Sequence, residues 1–68
     1  MSGVDPLDEL SWLVWAGGEP VGPVSARQIA LGIRAGKVPT DASVQRTGDV
    51  WWSGVLDERV VLEALKSA

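Results

Sequence analysis

The sequence predicts an α+β fold: a small antiparallel sheet packed by one helix at about 26–35, with a C-terminal helix at about 58–66. Three observations predict it. Trp12-Leu13-Val14-Trp15 is a short aromatic and β-branched run of the kind that favours strands. Gly22-Pro23 makes a corner that leads directly into Ser25-Ala26-Arg27-Gln28, a Ser-x-x-Gln helix start. A last segment opens on acids and ends on Lys66, the charge order that suits a helix dipole.

Each element follows in chain order. Residues 1–10 carry Asp5, Asp8 and Glu9 with Pro6, and read as a flexible acidic tail in which Asp5 caps at most one short turn. Trp12–Trp15 is the first strand, with Trp12 and Val14 on one face and Leu13 and Trp15 on the other. Ala16-Gly17-Gly18-Glu19 is the hairpin turn, because paired glycines supply the positive φ of tight turns. Pro20-Val21-Gly22 returns antiparallel, and Pro20 places this strand at an edge because it cannot donate to a ladder.

Ser25 and Gln28 form a capping box, and Ala26, Ile29, Ala30 and Ile33 make one apolar stripe at helical spacing. Gly36 sits where a left-handed residue ends a helix. Gly32 breaks the pattern, since a glycine inside a helix costs about 1 kcal/mol relative to Ala. It reads either as a position where something packs closely or as the floor of an open groove. Ser43–Thr47 alternates as a strand with Val44 inward, and Thr47-Gly48-Asp49 turns the chain. Val50-Trp51-Trp52 is expected to be extended, with one of the two adjacent Trp facing inward and the other outward. Asp57 is the expected cap of the last helix, with Leu56 and Val61 at hydrophobic-staple spacing.

Composition narrows the function. Sixty-eight residues make one domain, residues 11–66, and a domain of this size is only marginally able to bury a core. The chain has no Cys and no His, which removes disulfides, the commonest general base, the thiol nucleophile and most zinc sites. Enzyme chemistry is therefore not expected, and neither a metal nor a cofactor is implied. Six Lys and Arg against nine Asp and Glu, scattered along the chain, leave no basic footprint for nucleic acid. No apolar run approaches a membrane span, so membrane insertion is not expected and a cytoplasmic location is the default.

The set Trp12-x-Val14, Gly22-Pro23-Val24-Ser25, Gln28-Ile29, Gly36, Val44, Gly48 and Trp52 resembles the GYF domain family, nearer its bacterial GYF-like branch than its eukaryotic proline-recognition branch. The resemblance covers about residues 12–65. It implies a small sheet with one packed helix that binds proline-rich peptides in an aromatic-lined groove. The polyproline helix is extended before it binds and costs little entropy to dock. The positions that match the groove aromatics are Val14, Val21, Val24, Gly32 and Lys37, and none is aromatic. Lys37-Val38 stands where the family's Tyr-Phe follows its Gly.

The expected function is thus a protein-interaction module that binds an extended segment of a partner protein, with proline-rich segments as the family's ligand class. The expected site is Val14, Val21, Val24, Gly32 and Lys37, with Trp15 or Trp52 at its rim. The alternative is a structural or oligomerisation domain that packs on itself, as a homodimer, or on a neighbouring domain through an exposed Trp face. Arg27, Arg34 and Lys37 are expected on a solvated face.

Overall fold

The computed structural model describes residues 6–67 and shows an α+β fold, with a four-stranded antiparallel sheet and two α-helices. A 3-10 turn at Pro6–Asp8 precedes β1 (Trp12–Trp15) and β2 (Pro20–Val24). Helix α1 (Ala26–Arg34) follows, then β3 (Ser43–Arg46), β4 (Ser53–Gly54), a 3-10 turn at Val55–Asp57 and α2 (Arg59–Ser67). The strand order is β2-β1-β3-β4. Alternation along β1 and β3 buries Trp12, Val14 and Val44 against the helices. Ile29 of α1, Val55, and Val61 and Ala64 of α2 complete the core.

Register explains why β2 presents two valines to the same side. Trp12 pairs with Val24 and Val14 with Val21, so β2 spends one more residue than β1 between the two pairs. Two residues of a regular strand share a face when they are two apart; here a bulge lets residues three apart do so. The bulge falls at Gly22-Pro23, whose peptide bond is cis and where Gly22 has φ +140°.

Helix α1 starts and stops where its sequence signals place it. The Ser25 Oγ accepts from the Gln28 N–H at 3.0 Å, and the Gln28 Oε1 accepts from the Ser25 N–H at 2.9 Å. At the other end the Gly36 N–H donates to the Ile33 carbonyl at 3.1 Å and the Lys37 N–H to the Gly32 carbonyl at 2.8 Å, a Schellman closure. Gly36 supplies the left-handed residue, with φ +75°. Because Ser25 is buried, Ser25→Ala removes a cap that water replaces poorly. The expected loss is about 1 kcal/mol, lowering the thermal midpoint by about 4–8 °C. Thermal unfolding followed by circular dichroism checks this, and an unchanged midpoint would show the box to be ornamental.

Three readings need correction. Pairing with β3 begins at Ser53, just past Val50–Trp52, through Val44↔Ser53 and Ser43↔Gly54. Neither adjacent Trp is buried; Trp51 is 81% exposed and Trp52 40%. The inward place goes to Val55, whose N–H donates to the Ala42 carbonyl at 2.9 Å. Asp57 does not cap α2: it ends a 3-10 turn, Glu58 is extended, and the helix opens at Arg59. Leu56 is exposed, not stapled.

The cations of α1 are also not simply solvated. The Arg27 Nε donates to the Asp8 Oδ1 at 2.7 Å, and Leu7 beside it packs against the core. Residues 6–8 therefore dock on the helices, while residues 1–5 of the acidic stretch lie outside the described residues. The Arg34 guanidinium donates to the Leu65 carbonyl near the end of α2. Carbonyls in a last helical turn lack intrahelical partners, so this bond ties the two helices together at a point that needs a donor.

Candidate ligand groove and aromatic sheet face

The concavity that fits a ligand lies between the β1–β2 hairpin and α1. It has a volume of about 210 Å³ and is lined by Val14, Ala16, Val21, Val24, Gln28, Ile29, Lys37 and Val38. The bulge at Gly22 builds one wall by turning Val21 and Val24 the same way. The second position of the i, i+3, i+4, i+7 stripe, Ile29, builds the floor from α1. The helix termination builds the far end, because the Schellman closure returns Lys37 and Val38 over the last turn.

Four of the expected site residues meet here: Val14, Val21, Val24 and Lys37. Gly32 does not line the groove. A Cβ built at Gly32 would lie 2.6 Å from the Val38 Cγ2, so the glycine exists to receive Val38. Of its two readings, close packing is the one observed and an open floor is not. Where the sequence placed a groove floor at Gly32, the lining is instead Ile29 and Val38, together with Ala16 and Gln28. Val38 had a signal of its own: an apolar residue just past a helix-ending Gly commonly folds back on the last turn.

Trp15 and Trp52 are elsewhere. Trp15 is out of phase with the buried Trp12 and Val14, so it stands on the sheet face away from the helices. Trp52 joins it there, with ring centroids 5.8 Å apart and an interplanar angle of 81°, an edge-to-face pair. The molecule thus separates two features expected to form one site. An aliphatic groove faces the helix side, and an aromatic pair faces the other.

The polar chemistry of the groove is limited to two side chains. The Gln28 carbonyl oxygen is committed to the Ser25 N–H, so Gln28 can offer a ligand only its amide N–H groups. Lys37 offers an ammonium at the end of α1. A volume below the roughly 300–1,000 Å³ typical of small-molecule sites fits one or two side chains of a longer ligand. A second, larger depression of about 540 Å³ is lined by Asp57, Arg59, Leu62, Glu63 and Lys66, all exposed and of mixed charge. It is an open face of α2 without an apolar floor. Among the described residues no helix is long and apolar enough to cross a membrane, and no cluster of three or more His, Cys, Asp or Glu is placed to hold a metal ion. Comparison with known proteins finds no matching family model, no matching curated protein and no matching solved structure.

Proposed function

We propose that this domain is a protein-interaction module that binds an extended segment of a partner protein in the groove between the β1–β2 hairpin and α1. The observation that carries the reading is the groove's composition: six aliphatic side chains around a space of about 210 Å³, with donor groups from Gln28 and Lys37 at its rim. The resemblance to GYF domains supports the same place and makes proline-rich segments the first ligands to try. The replacement of the family's aromatic wall by Val14, Val21, Val24 and Lys37 argues for a shallower, weaker grip. An aliphatic groove retains apolar contact with a proline ring but loses the flat stacking face that an aromatic supplies.

The test is an amide-correlation NMR titration of the labelled domain with a panel of proline-rich decapeptides. Saturable shifts are expected at Val14, Val24, Ile29 and Val38. Val21→Glu places a charge on an exposed wall residue and is expected to weaken binding at least tenfold, about 1.4 kcal/mol. A panel that leaves those four amides unmoved, or binding indifferent to Val21→Glu, removes the groove as the ligand site.

A further inference from the structure

We infer that the groove selects its partner segment by charge. Its ligand is an extended apolar segment carrying one Asp or Glu, whose carboxylate meets the Lys37 ammonium while its apolar side chains fill the aliphatic pocket. The inference rests on the groove being the ligand site, and adds which segments that site takes.

It starts from what the polar groups of the groove offer. Lys37 and Gln28 are the polar side chains of its lining, and no acid lines it. A Lys ammonium is a donor without an acceptor. Gln ordinarily offers both, but here the Gln28 Oε1 accepts from the Ser25 N–H at 2.9 Å. The capping box thus turns the oxygen back to the helix start and leaves the amide N–H groups for a ligand. Among the described residues those N–H groups donate to nothing, and Lys37 makes no ion pair. The lining side chains therefore present donors and no anionic acceptor. A ligand carboxylate finds a partner there, and a ligand ammonium or guanidinium does not.

The charge of Lys37 is not consumed by the helix it follows. A cation just past a helix ordinarily serves the last carbonyls. Here backbone N–H groups already reach them: Ala35 donates to Leu31, Gly36 to Ile33, and both Lys37 and Val38 to Gly32. Arg34, the other cation at this end, donates to the Leu65 carbonyl of α2. Lys37 is exposed at the groove rim, where its ammonium is open to a ligand.

Net charge and spacing narrow the ligand further. The chain carries a net charge of −3, which repels a segment acidic along its whole length. A single carboxylate beside Lys37 interacts chiefly with that near neighbour, because solvent screens the more distant charges. Gln28 lies in the first turn of α1 and Lys37 just past its last, about 10 Å apart along the helix axis. An extended chain covers that distance in about three residues. A carboxylate held by Lys37 and a backbone carbonyl held by Gln28 thus bracket one or two apolar side chains, the number that a space of about 210 Å³ takes.

The experiment is an NMR titration of the labelled 68-residue chain, in low-salt buffer, with end-blocked decapeptides that differ at one position. Each carries a Pro-Pro-Val core with Glu, Gln or Lys about three residues from it, in both chain directions. The Glu peptide is expected to bind about two- to fivefold tighter than the Gln peptide, the range of an exposed ion pair, and the Lys peptide to bind weakest. Lys37→Gln is expected to erase the preference for Glu, and Lys37→Glu to reverse it in favour of the Lys peptide. Lys66→Gln removes a cation of α2 outside the groove and is expected to leave the preference unchanged. Equal affinities for the Glu and Gln peptides, with shifts at Val14, Val24, Ile29 and Val38, overturn this inference and leave the groove as the binding site. So does a Lys peptide that binds tightest, or a preference for Glu that survives Lys37→Gln, since the carboxylate then sits elsewhere. Peptides that leave those four amides unmoved remove the groove itself, and the inference with it.

Discussion

Gly22→Ala is expected to abolish most of the stability of this domain. Two costs add at one residue. Gly22 holds φ +140°, a backbone region that is open to glycine and strained for any residue with a Cβ. A Cβ there would also stand 2.6 Å from the Trp12 carbonyl oxygen and 3.2 Å from the Val24 nitrogen. Both neighbours are backbone, so neither can rotate away as a side-chain tip would. The strain alone is worth about 1–3 kcal/mol, and relieving the clash means parting β1 from β2 at the bulge. A domain of this length has roughly 3–10 kcal/mol of total stability, so a combined loss of about 3 kcal/mol or more leaves it largely unfolded. Gly18→Ala is the control. Gly18 also has a positive φ, +115°, but nothing lies within 4 Å of its would-be Cβ. Its cost is expected to stay near 1 kcal/mol. Urea unfolding followed by Trp fluorescence compares the two, and equal losses would show that the close approach to Trp12 does not matter.

The same glycine shows how structure and candidate site are joined. Without the bulge, Val21 and Val24 fall on opposite faces of β2, and the groove loses a wall. A milder substitution that leaves the domain folded but relaxes the register is therefore expected to empty the groove of affinity before it unfolds the protein. In the sequence, Gly22-Pro23 was readable as a corner. That the corner is also a register shift was not, because a bulge is defined by the partner strand and no local signal states which residue of β1 lies opposite.

Helix α1 shows what a sequence does reveal. Its cap, its stripe and its stop all lie within 12 residues of one another, and each acts through neighbours at i+3 or i+4. The segment from Val50 to Asp57 shows the converse. Its aromatic run has high strand propensity, yet the strand is Ser53–Gly54, which has almost none. Pairing with Ser43 and Val44 decides the matter, and those contacts span about ten residues of chain. The adjacent Trp pair suffers the same override. Alternation requires one to face inward only if the segment is a strand against the core, and here Val55 fills that place. Gly32 was legible as an exception but not as to its cause. The reason, Val38 folding back, depends on a helix end whose geometry is settled only once Gly36 takes its left-handed conformation.

Trp12→Ala is the second substitution expected to cost most, at about 3–5 kcal/mol. Of the four Trp, Trp12 is the one in the core, at 2% exposure, and the chain has no Phe or Tyr to share that role. The rest of the buried core is built of smaller side chains, Val14, Ile29 and Val44 among them, too small to close the space it would leave. Arg46, its cross-strand partner on β3, holds its guanidinium 5.0 Å from the Trp12 ring centroid. That contact is worth about 0.5–1 kcal/mol at an exposed site. A double-mutant cycle of Trp12→Phe with Arg46→Gln isolates it, because Phe retains a ring with a weaker π-face. Trp51→Ala, by contrast, removes a side chain that is 81% exposed and is expected to change stability by less than about 0.5 kcal/mol. If Trp12 carries stability and Trp51 carries none, the core of the fold rests on one aromatic and the outer Trp is dispensable to it. If Trp51→Ala destabilises the chain as much as Trp12→Ala, the outer aromatic surface belongs to the fold.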